Sequence, residues 1–236
     1  PQIYVNLWNM IQRFIQDRIG VALAKTSPRK VICLFGARQV GKTTLLESVF
    51  QSFAGAKEFL NGDFADDRAL LVPERAALNR LAGHLDLLFI DEAQNVSEIG
   101  RVLKLLHDNF PRLRLVASGS ASFDLRRKTG EPLTGRQRVF QLCPLSLGEL
   151  EPGATTQRQW VEHGMIYGGY PEAVLAASPD EKRDLLRQLV ADYLLRDIFA
   201  QVNVNQQGLQ DLVRLVAFQI GSEVSLHELS NRLGMD

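Results

Sequence analysis

Cysteine is nearly missing from this chain, and no grouping of cysteine with histidine makes up for it. Only Cys33 and Cys143 occur, and His84, His107, His163 and His227 are scattered, so neither a disulfide scaffold nor a zinc spacing is present. Both cysteines fall within or at the end of expected strands and are read as reduced, buried thiols. There is no run of about eighteen apolar residues and no basic leader followed by an apolar stretch, so neither a membrane-spanning helix nor a secretory signal is visible. The cytoplasm is the expected compartment, with no membrane partner. Net charge is lacking too: Lys+Arg 27 balance Asp+Glu 27. The chain as a whole therefore advertises no polyanionic partner, and only local patches could. An initiating methionine is missing before Pro1, which reads as a trimmed terminus, and no repeat or low-complexity run appears.

What is there is an ordinary globular composition, 45% hydrophobic and 23% charged over 236 residues, enough for a large unit and a smaller one. The strongest signal lies at Gly36, Ala37, Arg38, Gln39, Val40, Gly41, Lys42 and Thr43, which meets every fixed position of the phosphate-loop pattern G-x-x-x-x-G-K-[ST]. The apolar run from Val31 to Phe35 leads in as a buried strand, and Thr44 to Phe50 leads out as a helix. Glycines at the loop's ends permit torsions and close approaches that a side chain would block, so successive N–H groups can turn inward onto phosphate oxygens. The positive end of the helix dipole adds to that attraction. Lys42 is then the contact to the β- and γ-phosphates, Thr43 a ligand of Mg2+, and Thr44 a helix residue near the phosphates.

The second signal is Leu85 to Glu92, an apolar strand ending in two carboxylates, the pattern of a Walker B strand. Carboxylates at the carboxyl end of a parallel strand face the crevice from which the phosphate loop also springs. Asp91 is expected to hold Mg2+ through its water shell, and Glu92 to polarise the attacking water. A further strand, Leu113 to Ala117, ends in Ser118-Gly119-Ser120. Similarity to P-loop ATPases with a strand inserted between the two motifs implies that Ser118 or Ser120 meets the γ-phosphate or the lytic water, the alternative being that they cap the helix that follows. Strands near Val31, Glu58, Leu87, Leu115 and Phe140, separated by helices, predict a five-stranded parallel sheet. Before it, an amphipathic helix over 3–24 carries Arg13, Asp17 and Arg18 among its apolar positions. A loop over 123–138 holds Arg126, Arg127, Lys128, Arg136 and Arg138, and one helix is expected to begin near Ser122.

From Ser146 onward the strand signals stop. Helices are expected over 157–167, 172–177, 181–202 and 207–221, with a turn at Gly168-Gly169-Tyr170-Pro171. Ser225 opens a last helix as N-cap, with Glu228 three residues on and Gly234 as a turn glycine, like the start of a helix-turn-helix.

The chain resembles the prokaryotic AAA-type ATPases that carry a helix-turn-helix segment and a C-terminal, nuclease-like domain of unknown function. The stretches that carry the resemblance are G-A-R-Q-V-G-K-T-T-L-L from Gly36, F-I-D-E-A-Q from Phe89 and S-G-S from Ser118. They continue with L-T-G-R from Leu133, P-L-S with Glu149 from Pro144, G-G-Y-P-E from Gly168 and D-Y-L-L-R-D-I from Asp192, in the same order. The resemblance implies binding and hydrolysis of ATP, with Arg136 a candidate arginine finger or sensor and Gly168 to Glu172 within a helical lid. It also implies an architecture: an AAA-like α/β P-loop domain over 1–146, an all-α lid over 147–222, and a truncated winged-helix start over 223–236. The nuclease-like domain is expected to be absent after Asp236. The functional expectation is a Mg2+-dependent ATPase acting as a nucleotide-driven switch, with Glu92, Lys42, Arg136 and Ser120 serving hydrolysis, as a candidate homo-oligomer or with a DNA or protein partner. A slowly hydrolysing binding switch is the alternative. A small-molecule kinase is disfavoured by Glu92, because a kinase must keep activated water from the γ-phosphate.

Overall fold

Five apolar runs become five strands in the computed structural model, which describes residues 11–25, 29–120, 133–150, 157–191 and 206–233. They are β1 (Val31–Gly36), β2 (Lys57–Asn61), β3 (Leu87–Asp91), β4 (Arg114–Ser120) and β5 (Gln137–Leu142). All pair in parallel, in the order β2-β3-β4-β1-β5. β1 and β3 are buried at every position, as their unbroken apolar runs require of strands covered on both faces. β2 and β5, at the sheet's two edges, mix buried with more exposed positions.

Alternation along the strands divides the core in two. On one face Ile32, Leu34, Phe89 and Val116 meet Leu46 and Val49 of α2 (Lys42–Ser52) and Ile19 of α1 (Phe14–Ala24). On the other, Cys33, Phe35, Leu88 and Ile90 meet Leu78 of α4 (Arg75–Ala82) and Leu103 of α5 (Ile99–Asn109). Between β2 and α4 runs the short α3 (Ala65–Leu70), and the break after it includes Pro73. Burying each large aliphatic side chain in these layers contributes about 1.5–3 kcal/mol. The Cys33 thiol is among the buried groups, and burial pushes its pKa up to about 12. Cys143 corrects the expectation of two buried thiols: it is exposed, one residue past the end of β5, where sheet cover stops.

After β5 come α6 (Gln157–Tyr167) and α7 (Pro171–Leu175). The chain divides into two compact units after Leu175, later than the composition shift near Ser146. The Leu145 N–H donates to the Gly169 carbonyl (2.7 Å), tying the turn between these helices to the segment just after β5, and Arg13 is paired with Glu149 (3.0 Å) in that segment. The second unit holds α8 (Pro179–Leu189), α9 (Gln206–Phe218) and α10 (Leu226–Leu233). Ser178 caps α8, its hydroxyl oxygen accepting the Glu181 N–H, and Ser225 accepts the Glu228 N–H at 3.3 Å, the N-cap expected of α10. The expectations for 1–10, Ser122, the basic loop residues Arg126 to Lys128, 192–202 and Gly234 lie outside the described residues. No helix among the described residues is long and apolar enough to cross a membrane.

Candidate functional site

The strand order decides where chemistry can gather. β1, β3 and β4 all end at one edge of the sheet, and β4 stands between the strands that carry the two motifs. Gly36 pairs with Ser120, and Leu34 with Ser118, so the phosphate loop and the β4 tip are neighbours. Asp91 terminates β3 at the same edge.

The loop's backbone is bent by two left-handed residues, Gln39 (φ 57°) and Gly41 (φ 90°). Gly41 is the N-cap of α2, and glycine takes this torsion without the Cβ penalty. Gly36 serves differently, since a Cβ there would stand 2.7 Å from the Leu142 carbonyl oxygen. The glycine therefore lets β5 lie close to β1. Lys42, the first residue of α2, is buried and donates to the Gly36 and Ala37 carbonyls at 3.1 and 3.0 Å. Burial lowers its pKa, an effect opposed by the carboxylates of Glu92 and Asp91 and reinforced by Arg38. Arg38 is exposed, Val40 is fully buried, and Thr44 lines a cavity of about 320 Å³ with Gln12, Gln16, Ser48 and Leu145.

Asp91 is the hub. It is 1% exposed; the Thr43 hydroxyl donates to its Oδ2 at 2.6 Å, and the Ser118 hydroxyl donates to its Oδ1. A buried carboxylate is tolerated only with such donors. Thr43 and Asp91 thus present adjacent hard oxygens beside the loop, a donor pair that suits Mg2+, which takes one or two protein oxygens with substrate phosphates and water. The Ser118 hydroxyl orients Asp91, and Ser120 sits buried at the β4 tip beside Gly36.

Glu92 follows in the left-handed region (φ 45°), an unfavourable torsion for a residue with a side chain. Its neighbours hold it there. The Asn95 N–H donates to its carbonyl at 3.0 Å, the Gly62 N–H donates to the Asp91 carbonyl at 2.8 Å, and the Gln94 amide donates to its carboxylate. Gly62 admits this packing, because a Cβ there would collide with the Glu92 carbonyl. Gly62→Ala is expected to cost about 1–3 kcal/mol through that overlap. Urea unfolding measures the loss, and an unchanged midpoint would contradict the packing.

Arg136 does not join this site within its own chain. It precedes β5, its carbonyl accepts the Val31 N–H at the start of β1, and its guanidinium is paired with Asp108 at 2.9 Å. The phosphate loop leaves β1 at the other end, five residue steps on, or about 17 Å along the sheet. Closeness to β5 in sequence means closeness to its start, and the site lies at the strand ends.

Arg13, Gln94 and Gly62 are the site-forming residues that sequence reasoning did not single out. Arg13 was read as one polar position of an amphipathic helix; it is buried, and its guanidinium reaches the Val40 carbonyl in the loop at 3.1 Å. Gln94 had a usable signal in its place within F-I-D-E-A-Q.

Residues 28–151 match the family described as AAA domain, and residues 158–236 match a domain of unknown function, DUF8612. An uncharacterized protein of Mycobacterium tuberculosis is 31% identical over 175 residues, covering 74% of this chain and 37% of that protein. An uncharacterized protein of Methanocaldococcus jannaschii is 22% identical over 232 residues, covering 89% of this chain and 51% of that protein. The chain therefore spans about half or less of the length of these curated relatives. Among solved structures, a Walker-type ATPase of Pyrococcus abyssi is similar in fold, with a TM-score of 0.59 at 15% identity over 95% of this chain and 89% of that one.

Proposed function

The chain belongs to the AAA domain family, whose P-loop fold is one that binds nucleotides, and from that premise we propose that it binds and hydrolyses ATP with Mg2+, working as a nucleotide-driven switch. The observation that carries the reading is the buried Asp91 carboxylate, joined by the Thr43 hydroxyl directly to the start of the phosphate-loop helix. In this reading the loop N–H groups and Lys42 hold the β- and γ-phosphates, and the cavity beside Thr44 takes the sugar and base. Thr43 and Asp91 would hold the magnesium, which would supply neutralisation of the charge on the phosphates. Glu92 takes a proton from the water that attacks the γ-phosphorus, and ADP leaves with the bridging oxygen. Ser118 fixes Asp91 for this task, and Ser120 lies within the same strand tip.

The switch, the lid from α6 onward, α10 as the first helix of a winged-helix module, a DNA or protein partner and a cytoplasmic setting belong to this proposal. Titration of MgATP by calorimetry tests its first step: saturable binding that weakens when Mg2+ is chelated supports it, and absence of binding at millimolar ATP removes it.

Arg136 enters the proposal only as a contributor to a second copy's site, since its own loop is out of reach. Arg136→Ala should then lower specific activity roughly tenfold while leaving ATP affinity unchanged, in line with a lost charge-assisted contact. Mixing it with Lys42→Ala should restore part of the activity, because each copy lacks what the other supplies. Unchanged turnover in Arg136→Ala removes the residue from the mechanism.

A further inference from the structure

The phosphate loop is gripped by a charged side chain, Arg13, that also lines the cavity beside Thr44. Arg13 stands just before α1 and is 9% exposed in its side chain; Glu149, after β5, is 7% exposed. The three donor nitrogens of the guanidinium diverge to three segments. Nε donates to Glu149 Oε1 at 3.0 Å, Nη1 to the Val40 carbonyl at 3.1 Å, and Nη2 to the Cys143 carbonyl at 2.6 Å. Glu149 is held in turn by the Phe14 N–H (3.0 Å), the Ser146 N–H (2.9 Å) and the Ser146 hydroxyl (3.0 Å). Burial pushes the Glu149 carboxyl up, but the Ser146 N–H, Arg13 and the Phe14 N–H together outweigh it and hold the group below its ordinary range.

Val40 sits between the two left-handed residues of the loop, Gln39 and Gly41. Its carbonyl and the Gly41 N–H belong to one trans, planar peptide unit, so they point to opposite sides. Whatever grips the carbonyl fixes the direction of the N–H. We propose that Arg13, seated by Glu149, is a positioning residue for the phosphate loop: it holds the Val40 carbonyl and thereby keeps the Gly41 N–H turned toward the phosphates. The proposal rests on the nucleotide reading. It adds that the loop is preorganised by a contact reaching across 136 positions of sequence to Glu149, three residues past the end of P-L-S.

Arg13→Lys tests it, because lysine keeps the charge and the stem but cannot fan three donors in one plane. Arg13→Gln is the second variant. Each is compared with the unaltered 236-residue chain for MgATP affinity, for KM and kcat, and for amide hydrogen exchange of β1 and β3. Affinity is expected to fall about tenfold, with KM rising by a similar factor and kcat nearly unchanged, since the loop N–H groups hold ground state and transition state alike. Strand amides are expected to exchange at the parent rate. Parent-like affinity and KM in both variants overturns the positioning role. So does exchange that quickens throughout β1 and β3 in both, which would make Arg13 a general fastening of the fold. A parent chain that binds no MgATP overturns the nucleotide reading instead, and the proposal that rests on it.

Discussion

Glu92→Gln is expected to bind MgATP within about threefold of the parent affinity while its turnover falls about 10²–10⁴-fold, the usual contribution of a positioned general base. The substitution keeps the side chain's length and its acceptor oxygen for the Gln94 amide, and removes only the ability to take a proton. Glutamine tolerates the φ of 45° no worse than glutamate, because neither is branched at Cβ. Binding and turnover should therefore separate, which a folding defect would not produce. Turnover equal to the parent's would remove Glu92 from proton transfer.

Lys42→Ala is expected to weaken MgATP about 10- to 150-fold, corresponding to roughly 1.5–3 kcal/mol for a hydrogen bond to a charged group. The ammonium is buried against two carbonyls at the mouth of the loop, so few water molecules compete with a phosphate for it. Its pKa also sets a pH limit. Burial lowers the pKa in the free chain, and bound phosphate favours the protonated form, raising it. Affinity is then complete below the free-chain pKa and falls as pH rises between the free and bound values, beginning below the ordinary lysine range. A titration of ATP affinity against pH reads this, and Lys42→Ala should lack that alkaline loss. An alkaline loss of equal size in Lys42→Ala would assign the titration to another group.

The parts of the site that were legible in the sequence are those whose chemistry is local. Gly36 to Thr43 is a contiguous loop with fixed spacing between strand and helix, and its two flanks formed where the apolar periodicity predicts them. Asp91 was legible because a strand that is buried throughout can end in a carboxylate only at a functional or solvated tip; the Thr43 and Ser118 hydroxyls donate to it there. The strand order was not legible, since register between β1 and β4 depends on segments some eighty positions apart. Which end of β5 Arg136 flanks was not legible for that reason: a residue beside a strand is near one of its ends, and parallel pairing decides which. Arg13 was hidden because nothing near it in sequence differs from a solvated helix position; its partners are Val40, Cys143 and Glu149. Gly62 became meaningful only when Glu92, just past the end of β3, was brought against it.

Single-turnover hydrolysis of γ-labelled ATP, with chain in excess over nucleotide, tests the central claim most directly. The account predicts that labelled phosphate appears in the parent, disappears when Mg2+ is chelated, is lost in Lys42→Ala and is slowed about 10²–10⁴-fold in Glu92→Gln. Phosphate release that proceeds equally in the parent, in Lys42→Ala and under chelation would contradict it.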